Sequence, residues 1–276
     1  MSNNKRNRPS GRPNSNRQQQ RNELNDEAFD EYNKLQSLKN KKHILNKAEF
    51  DKCGIELTPK QAELVKTIKQ NTLTIVQGPA GSAKTFVACY TALQMLANKE
   101  VDKIIITKPI VDAGESIGFL PGTQDEKTQP YMKSYISTFE KILGRFLTEA
   151  LIHNGFIEVN LLAYMRGDTF DNCAMILDEA QNTIMSQLML WVTRCGKNTT
   201  AIVCGDVSQY DIKRKDAKIL DFIDPCEGMK GVASFKFERE DIVRNPFLIE
   251  LTDRYEKWKY SEEKIEEEKK KKYHRN

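Results

Sequence analysis

The sequence predicts an α/β fold in which a mainly parallel sheet is flanked by helices. Six short apolar runs, rich in β-branched residues, are each followed by a turn or a helical pattern. Buried strands that alternate with helices are typical of parallel sheets whose two faces are covered. The predicted strands are Leu73–Val76, Lys103–Thr107, Ile157–Val159, Ala174–Leu177, Thr200–Cys204 and Ser234–Phe237.

Helical patterns lie before and between these runs. Thr58 and Pro59 are a helix N-cap and a first helical residue, and they open a segment with Leu64 on its apolar face. Further patterns cover Thr85–Asn98 and Ser186–Cys195. In such sheets ligands bind beyond the carboxyl ends of the strands, so functional residues are expected there.

Length and composition favour one sizeable domain with flexible arms. The chain has 276 residues, of which 39% are hydrophobic. No apolar run approaches the roughly 20 residues that span a bilayer, and the amino terminus lacks the apolar core of a signal peptide. The cysteines are scattered without CxxC spacing, which favours thiols in a reducing compartment. We therefore expect a cytoplasmic protein with no membrane partner.

The polar extensions differ in character. Residues 1–22 form a basic arm without an acidic residue, which predicts disorder. This arm is either a clamp on nucleic-acid phosphates or a solubilising tail. Residues 23–56 are predicted as an accessory helical segment, 57–252 as the catalytic domain, and 253–276 as a charged helix or tail.

A phosphate-binding loop is predicted between the first strand and the following helix. Small residues let backbone N–H groups wrap a phosphate, and the helix adds its positive end. Lys84 is then expected to reach the β- and γ-phosphates of ATP, and Thr85 to ligate Mg²⁺. The alternative is a chance turn rich in glycine. The loop reads Gly78, Pro79, Ala80, Gly81, Ser82, Ala83, Lys84 and Thr85.

Ala83 departs from the pattern GxxxxGK[ST], which has glycine before the lysine. A Cβ atom there would crowd the phosphates or strain a backbone angle suited to glycine. A retained fold with lost activity is therefore a second alternative.

Two carboxylates follow the apolar strand at Ala174–Leu177. Asp178 is suited to hold Mg²⁺, and Glu179 to orient and deprotonate an attacking water. Strand alternation alone would point the two side chains apart, so the backbone must bend at this position. A third strand end carries Asp206, Ser208 and Gln209, and Gln209 is a candidate to sense the γ-phosphate. The alternative for this third segment is a polar turn that caps a helix.

The order of these segments resembles the PhoH-like ATPases, which are P-loop proteins related to superfamily 1 helicases. The resemblance covers about Leu57 to Ile249, and the Asn- and Lys-rich composition is typical of a bacteriophage member. The segments are LTPKQ, IVQGPAGSAKT, IIITKPIVDAGESIGFLPGT, IEVNLLAYMRGDTFDNCAMILDEAQN, IVCGDVSQYDI and FEREDIVRNPFL.

The resemblance implies further roles. Gln61 would read the adenine edge, although a surface glutamine is the alternative. Gln209 would be the sensor glutamine. Arg244 would contact the γ-phosphate, with Arg239 as a competing candidate, and either could be a simple salt-bridge residue. Residues in shared segments with less defined roles are Lys108, Glu115, Lys127 and Arg166.

Three functions are consistent with the sequence. The first is a nucleic-acid-dependent ATPase or helicase-like motor that acts on single-stranded RNA or DNA. A homo-oligomeric ring would supply the second motor domain that this chain lacks. The others are a nucleotide-gated scaffold with little turnover and a P-loop kinase for a small molecule.

Overall fold

A computed structural model describes residues 33–39, 44–109, 124–206 and 219–243, together with nine residues of a C-terminal helix between 247 and 261. Gln209, Arg244, Glu115 and the side chain of Lys127 lie outside the described residues, as does the predicted arm. Within the described part of the chain, no helix combines the length and apolarity needed to cross a membrane.

The predicted parallel sheet is confirmed. The six described strands pair in the order β3-β2-β4-β5-β1-β6, and every pairing is parallel. The strands are β1 (Leu73–Gln77), β2 (Lys103–Lys108), β3 (Ile157–Leu161), β4 (Cys173–Leu177), β5 (Thr200–Gly205) and β6 (Val232–Lys236). Each lies within two residues of a predicted run, and Phe237 falls just beyond β6 instead of ending it.

Helices cover both faces of the sheet. The described helices are α1 (33–39), α2 (Lys47–Asp51), α3 (Pro59–Gln70), α4 (Lys84–Ala97), α5 (Gln124–Leu143), α6 (Arg145–His153), α7 (Met185–Val192) and α8 (Ile219–Ile223). Residues of α2 to α6 pack in one buried cluster, and α7 and α8 pack in a second. The predicted helix at Ser186–Cys195 ends earlier, at Val192, because Thr193 and Arg194 form a turn and Cys195 forms an isolated bridge with Phe170.

The start of α3 confirms the capping prediction. The Thr58 side chain accepts a hydrogen bond from the Gln61 backbone N–H, and Pro59 is the first helical residue. The Gln61 side-chain oxygen accepts in return from the Thr58 backbone N–H, over 3.1 Å. Both bonds satisfy amide groups that the helix leaves without internal partners.

Residues before α3 contribute to the core. Leu45 and Phe50 are buried, and the Phe50 ring lies 5.1 Å from the Tyr90 ring of α4. Leu35 and Leu38, on α1 within the predicted accessory segment, are half-buried. The described part of the accessory segment therefore packs against the sheet domain.

All six cysteines are free thiols. Cys89, Cys173 and Cys204 are buried, and burial raises the pKa of each thiol. For the partly exposed Cys195, burial raises the pKa to about 11. Because the thiolate is the reactive form, a raised pKa lowers the reactivity of these four thiols at neutral pH.

Candidate active site

The glycine-rich loop connects β1 to α4, as the sequence predicts. Gly78 packs so closely that an added Cβ would lie 2.7 Å from Phe237 Cβ. Ser82 Oγ donates to the Pro79 carbonyl over 2.9 Å and closes a tight turn. Two contacts therefore fix the shape of the loop: the packing of Gly78 against Phe237, just beyond β6, and the hydrogen bond of the Ser82 hydroxyl.

Ala83, at the N-cap of α4, adopts the left-handed conformation with φ 64° and ψ 25°. This conformation favours glycine, because the Cβ of other residues is crowded by their own backbone. The sequence predicts a strained backbone angle at Ala83, where the chain departs from the P-loop pattern. The structure shows such an angle there.

The Lys84 ammonium lies over the loop. Its Nζ donates to the carbonyl oxygens of Gly78 and Pro79, over 2.7 and 2.9 Å. The cation is therefore positioned at the concave side of the loop, beside the first turn of α4. A positive charge at a helix N-terminus adds to the attraction of that terminus for an anion.

The loop and the acidic pair meet directly. Thr85 Oγ1 donates to Asp178 Oδ1 over 2.8 Å. The other oxygen of the same carboxylate, Oδ2, accepts from the Tyr135 hydroxyl of α5 over 3.1 Å. Tyr135 carries no signal in the sequence, because it falls in an ordinary helical pattern. Only the packing of α5 against the sheet brings it to this carboxylate.

Burial raises the pKa of Asp178, and the neighbouring charge of Glu179 raises it further. The hydrogen bonds from Thr85 and Tyr135 act in the opposite direction, because they stabilise the charged form. A buried carboxylate with a raised pKa is typical of functional sites, where a cation compensates for the lost hydration.

Glu179 lies where the backbone bends. β4 ends at Leu177, and Glu179 has φ 54° at the start of a short 3-10 turn, Ala180–Asn182. The expected bend after the strand is therefore present. It allows both Asp178 and Glu179 to line the same cavity, which regular strand alternation would prevent.

Gln181 links this bend to the neighbouring strand. Its Nε2 donates to Glu179 Oε2 over 2.6 Å, and its Oε1 accepts from the Asp206 backbone N–H over 2.9 Å. The side chain is only 3% exposed. The sequence places Gln181 next to the acidic pair, but its two partners become visible only once β5 lies beside β4.

These groups surround a cavity of about 290 Å³ at the carboxyl ends of the strands. Asp206 lies on its wall, as predicted for the third strand end, whereas Ser208 and Gln209 lie outside the described residues. The lining residues are Ala80, Gly81, Ala83, Lys84, Thr85, Phe86, Thr138, Asp178, Glu179, Gln181, Cys204, Gly205 and Asp206.

Val243, the last described residue before the late arginine, is anchored to the phosphate loop. The Val243 backbone N–H donates to the Gly81 carbonyl over 3.0 Å, one residue before Arg244. The competing candidate, Arg239, is exposed in a 3-10 turn, Arg239–Asp241. Gln61 does not line the cavity, and its side-chain oxygen is engaged in the cap of α3.

The donor set fits Mg²⁺ bound together with phosphates. Thr85 and Asp178 supply a hydroxyl and a carboxylate, the hard oxygen ligands that Mg²⁺ prefers. Among the residues that the structure describes, no three His, Cys, Asp or Glu side chains converge into a metal-binding group. Mg²⁺ sites commonly use one or two protein ligands and complete the shell with water and substrate phosphates.

The comparisons with known protein sequences agree on one family. The family described as "PhoH-like protein" matches residues 55–256. A PhoH-like protein of Bacillus subtilis (strain 168) is 40% identical over 198 residues, which cover 71% of this chain and 62% of that protein. Protein PhoH of Escherichia coli (strain K12) is 37% identical over 188 residues, 67% of this chain and 53% of that protein.

Similarities to solved structures are more distant. The large terminase of a thermophilic bacteriophage aligns with a TM-score of 0.45 and 11% identity over 73% of this chain and 50% of the terminase. The Pif1 helicase of Candida albicans aligns with a TM-score of 0.35 and 14% identity over 68% of this chain and 41% of the helicase. The family match, which spans most of the chain and includes the whole described cavity, is decisive: the chain belongs to the PhoH-like family.

Proposed function

We propose that the chain binds ATP with Mg²⁺ in the cavity at the carboxyl ends of the strands and hydrolyses it. One observation carries the proposal. The lysine and threonine of the phosphate loop meet the buried Asp178 there, with Thr85 Oγ1 2.8 Å from its carboxylate. The same cavity contains Glu179, a second carboxylate that can act as a base.

The phosphates bind to the loop between β1 and α4. Backbone N–H groups of the loop and the N-terminus of α4 face the negative charge. Lys84 exchanges its carbonyl partners for the β- and γ-phosphates. Thr85 and Asp178 hold Mg²⁺, which, when bound, supplies positive charge that neutralises the phosphate oxygens.

In the hydrolytic step, Glu179 accepts a proton from a water molecule. The water oxygen forms a bond to the γ-phosphorus while the bond to the β–γ bridging oxygen breaks. That oxygen keeps the electron pair and leaves with ADP. We assign γ-phosphate sensing to Gln209 and charge stabilisation to Arg244, and we retain adenine recognition by Gln61. The Val243 contact with Gly81 supports the role of Arg244, because it anchors the preceding residue to the phosphate loop.

We further propose that single-stranded RNA or DNA stimulates this ATPase and that copies of the chain assemble into a ring. The basic arm, whose cations are Lys5, Arg6, Arg8, Arg12, Arg17 and Arg21, supports nucleic-acid contact. The chain spans about half to three-fifths of the length of the curated relatives compared above. In such a ring, a neighbouring copy would supply an arginine in trans.

Ala83 favours a second candidate, a nucleotide-gated scaffold with little turnover. Its left-handed backbone leaves a methyl group at the position where the P-loop pattern has none. Such a loop could bind ATP and yet align the γ-phosphate poorly. A small-molecule kinase is less consistent with the site, because the carboxylates of Asp178 and Glu179 line one cavity, where we assign Glu179 as a base for water.

Release of ADP and of phosphate distinguishes these functions when both are measured with ATP alone, with single-stranded RNA or DNA, and with a panel of metabolites. Lys84→Ala should abolish ATP binding, because it removes the loop cation. Glu179→Gln should keep binding and lower kcat at least ~10²-fold, the typical contribution of a general base. Lys66→Ala, on the exposed face of α3, is the matched control and should behave as wild type.

An ATP-binding protein that forms neither ADP nor free phosphate under any of these conditions would favour the scaffold. Equal hydrolysis by wild type and Glu179→Gln would exclude Glu179 as the base. Formation of ADP that requires one metabolite, with the γ-phosphoryl group transferred to that metabolite and no free phosphate released, would establish the kinase.

A further inference from the structure

The side chain of Gln181 is held at both ends. A backbone N–H can only donate and a carboxylate can only accept, so the Asp206 N–H must face Oε1 and the Glu179 carboxylate must face Nε2. The two partners therefore fix the orientation of the amide without ambiguity. At 3% exposure, Gln181 is buried at the wall of the cavity.

The backbone makes this contact possible. The left-handed conformation of Glu179 turns the chain sharply, and the 3-10 turn that follows brings a side chain two residues later back to the carboxylate. Asp206 directly follows β5, which pairs with both β1 and β4. Gln181 therefore connects the end of β4, where the acidic pair lies, to the end of β5. In the sheet, β5 lies between β4 and the strand β1 that leads into the phosphate loop.

We propose that Gln181 is the positioning residue of the general base. This inference rests on the proposed ATPase function. A glutamate side chain is long and flexible, and catalysis requires its carboxylate at one place relative to the attacking water. The amide of Gln181 holds Oε2 of Glu179 and leaves Oε1 to accept the proton of the water. The amide has no acidic proton of its own to exchange, so it orients the base without competing with it.

The first test is Gln181→Leu, which keeps the volume and removes both hydrogen bonds. We expect kcat for ATP to fall about 10- to 100-fold, because small displacements of a catalytic group have effects of this size. ATP affinity and KM should change by less than about threefold, because the hydrogen-bond partners of Gln181 are Glu179 and Asp206 and not residues of the phosphate loop. A variant with wild-type kcat would overturn the proposal.

Two variants separate positioning from structural support. Thr183→Val removes a buried hydrogen bond of 2.5 Å to the Ala180 carbonyl in the same turn, without touching Glu179, and should keep kcat within about twofold. Gln181→Glu keeps the acceptor for the Asp206 N–H but removes the donor to Glu179. It should lose as much kcat as Gln181→Leu, and it covers the case in which leucine prevents folding.

A double-mutant cycle then tests whether Gln181 acts through Glu179. In the Glu179→Gln background, adding Gln181→Leu should change the single-turnover rate by less than about twofold, because the base is already absent. A further loss of about 10-fold would show another role for Gln181 and overturn the proposal. Absence of hydrolysis by the wild type is a different result, because it contradicts the proposed function itself.

Discussion

Thr85 Oγ1 and Asp178 Oδ1 lie 2.8 Å apart, although 93 positions separate the two residues in the sequence. The contact joins the phosphate loop to the end of β4, on opposite sides of β5. It places a hydroxyl beside a carboxylate whose pKa is raised by burial and by Glu179. The fold therefore disfavours the charged form of this carboxylate, as expected of a site that receives a cation.

Asp178→Asn should raise the stability of the protein at neutral pH, measured without Mg²⁺ and ATP. Because the pKa of Asp178 is higher in the folded than in the unfolded chain, the folded state binds more protons between the two values. This contribution to stability therefore falls as pH rises through that interval. The asparagine removes the charge and keeps an oxygen for Thr85.

The advantage of Asp178→Asn should shrink in acid and vanish below the ordinary pKa of aspartate, about 3.9. Urea unfolding between neutral and acidic pH measures the difference. ATP hydrolysis should be lost at every pH, because a carboxylate ligand for Mg²⁺ is missing. A variant that is less stable than wild type at neutral pH would contradict the attribution of the raised pKa to burial.

Ala83→Gly should stabilise the protein by about 0.5–1 kcal/mol. Relief of the left-handed strain gains about 1–2 kcal/mol, and the greater freedom of glycine in the unfolded chain offsets part of it. If the Ala83 methyl group crowds the phosphates, the variant should also bind ATP more tightly or hydrolyse it faster.

The control for Ala83→Gly is Lys99→Gly, at a residue with φ 60° that does not line the cavity. It should share the gain in stability but leave ATP affinity unchanged. If neither affinity nor turnover changes in Ala83→Gly, the loop is already adapted to alanine. That result would remove the main support for the scaffold function.

Gly78→Ala should destabilise the protein by about 1–3 kcal/mol, the usual cost of overpacking. The new Cβ would lie 2.7 Å from Phe237 Cβ and 3.1 Å from the Phe237 carbonyl oxygen, so the end of β6 must move. Gly167→Ala is the comparison, because its φ is 97° and nothing lies within 4 Å of its added Cβ. Chemical denaturation should show the larger loss for Gly78→Ala, and equal losses would exclude the contact with Phe237 as the cause.

Deletion of residues 2–22 should weaken binding to single-stranded nucleic acid. Each phosphate that the arm neutralises contributes about −0.7 to the slope of log K against log salt, so the truncated chain should show a flatter dependence. Fluorescence anisotropy with a labelled oligonucleotide at several salt concentrations measures both quantities. Basal ATP hydrolysis should not change. Identical affinity and slope in both chains would identify the arm as a solubilising tail.

The sequence by itself determined the strands and the phosphate loop. β-branched runs such as Ile104–Ile106 favour buried strands wherever they pack, and the spacing of Gly78, Lys84 and Thr85 follows from the local shape of a loop that precedes a helix. The left-handed angle at Ala83 was likewise expected from one position in a pattern. Local chemistry suffices for such features, because their partners lie within a few residues.

The tertiary structure alone decided which distant side chains support the acidic pair. Strand order places β5 between β1 and β4, and this order brings the Asp206 N–H to Gln181. The packing of α5 brings the Tyr135 hydroxyl to Asp178. Neither contact has a periodicity or a fixed spacing, because each depends on long-range packing between separate segments. The sequence alone predicts the pair Asp178 and Glu179. The residues that hold the pair in place, Tyr135 and Gln181, are identified only by the tertiary structure.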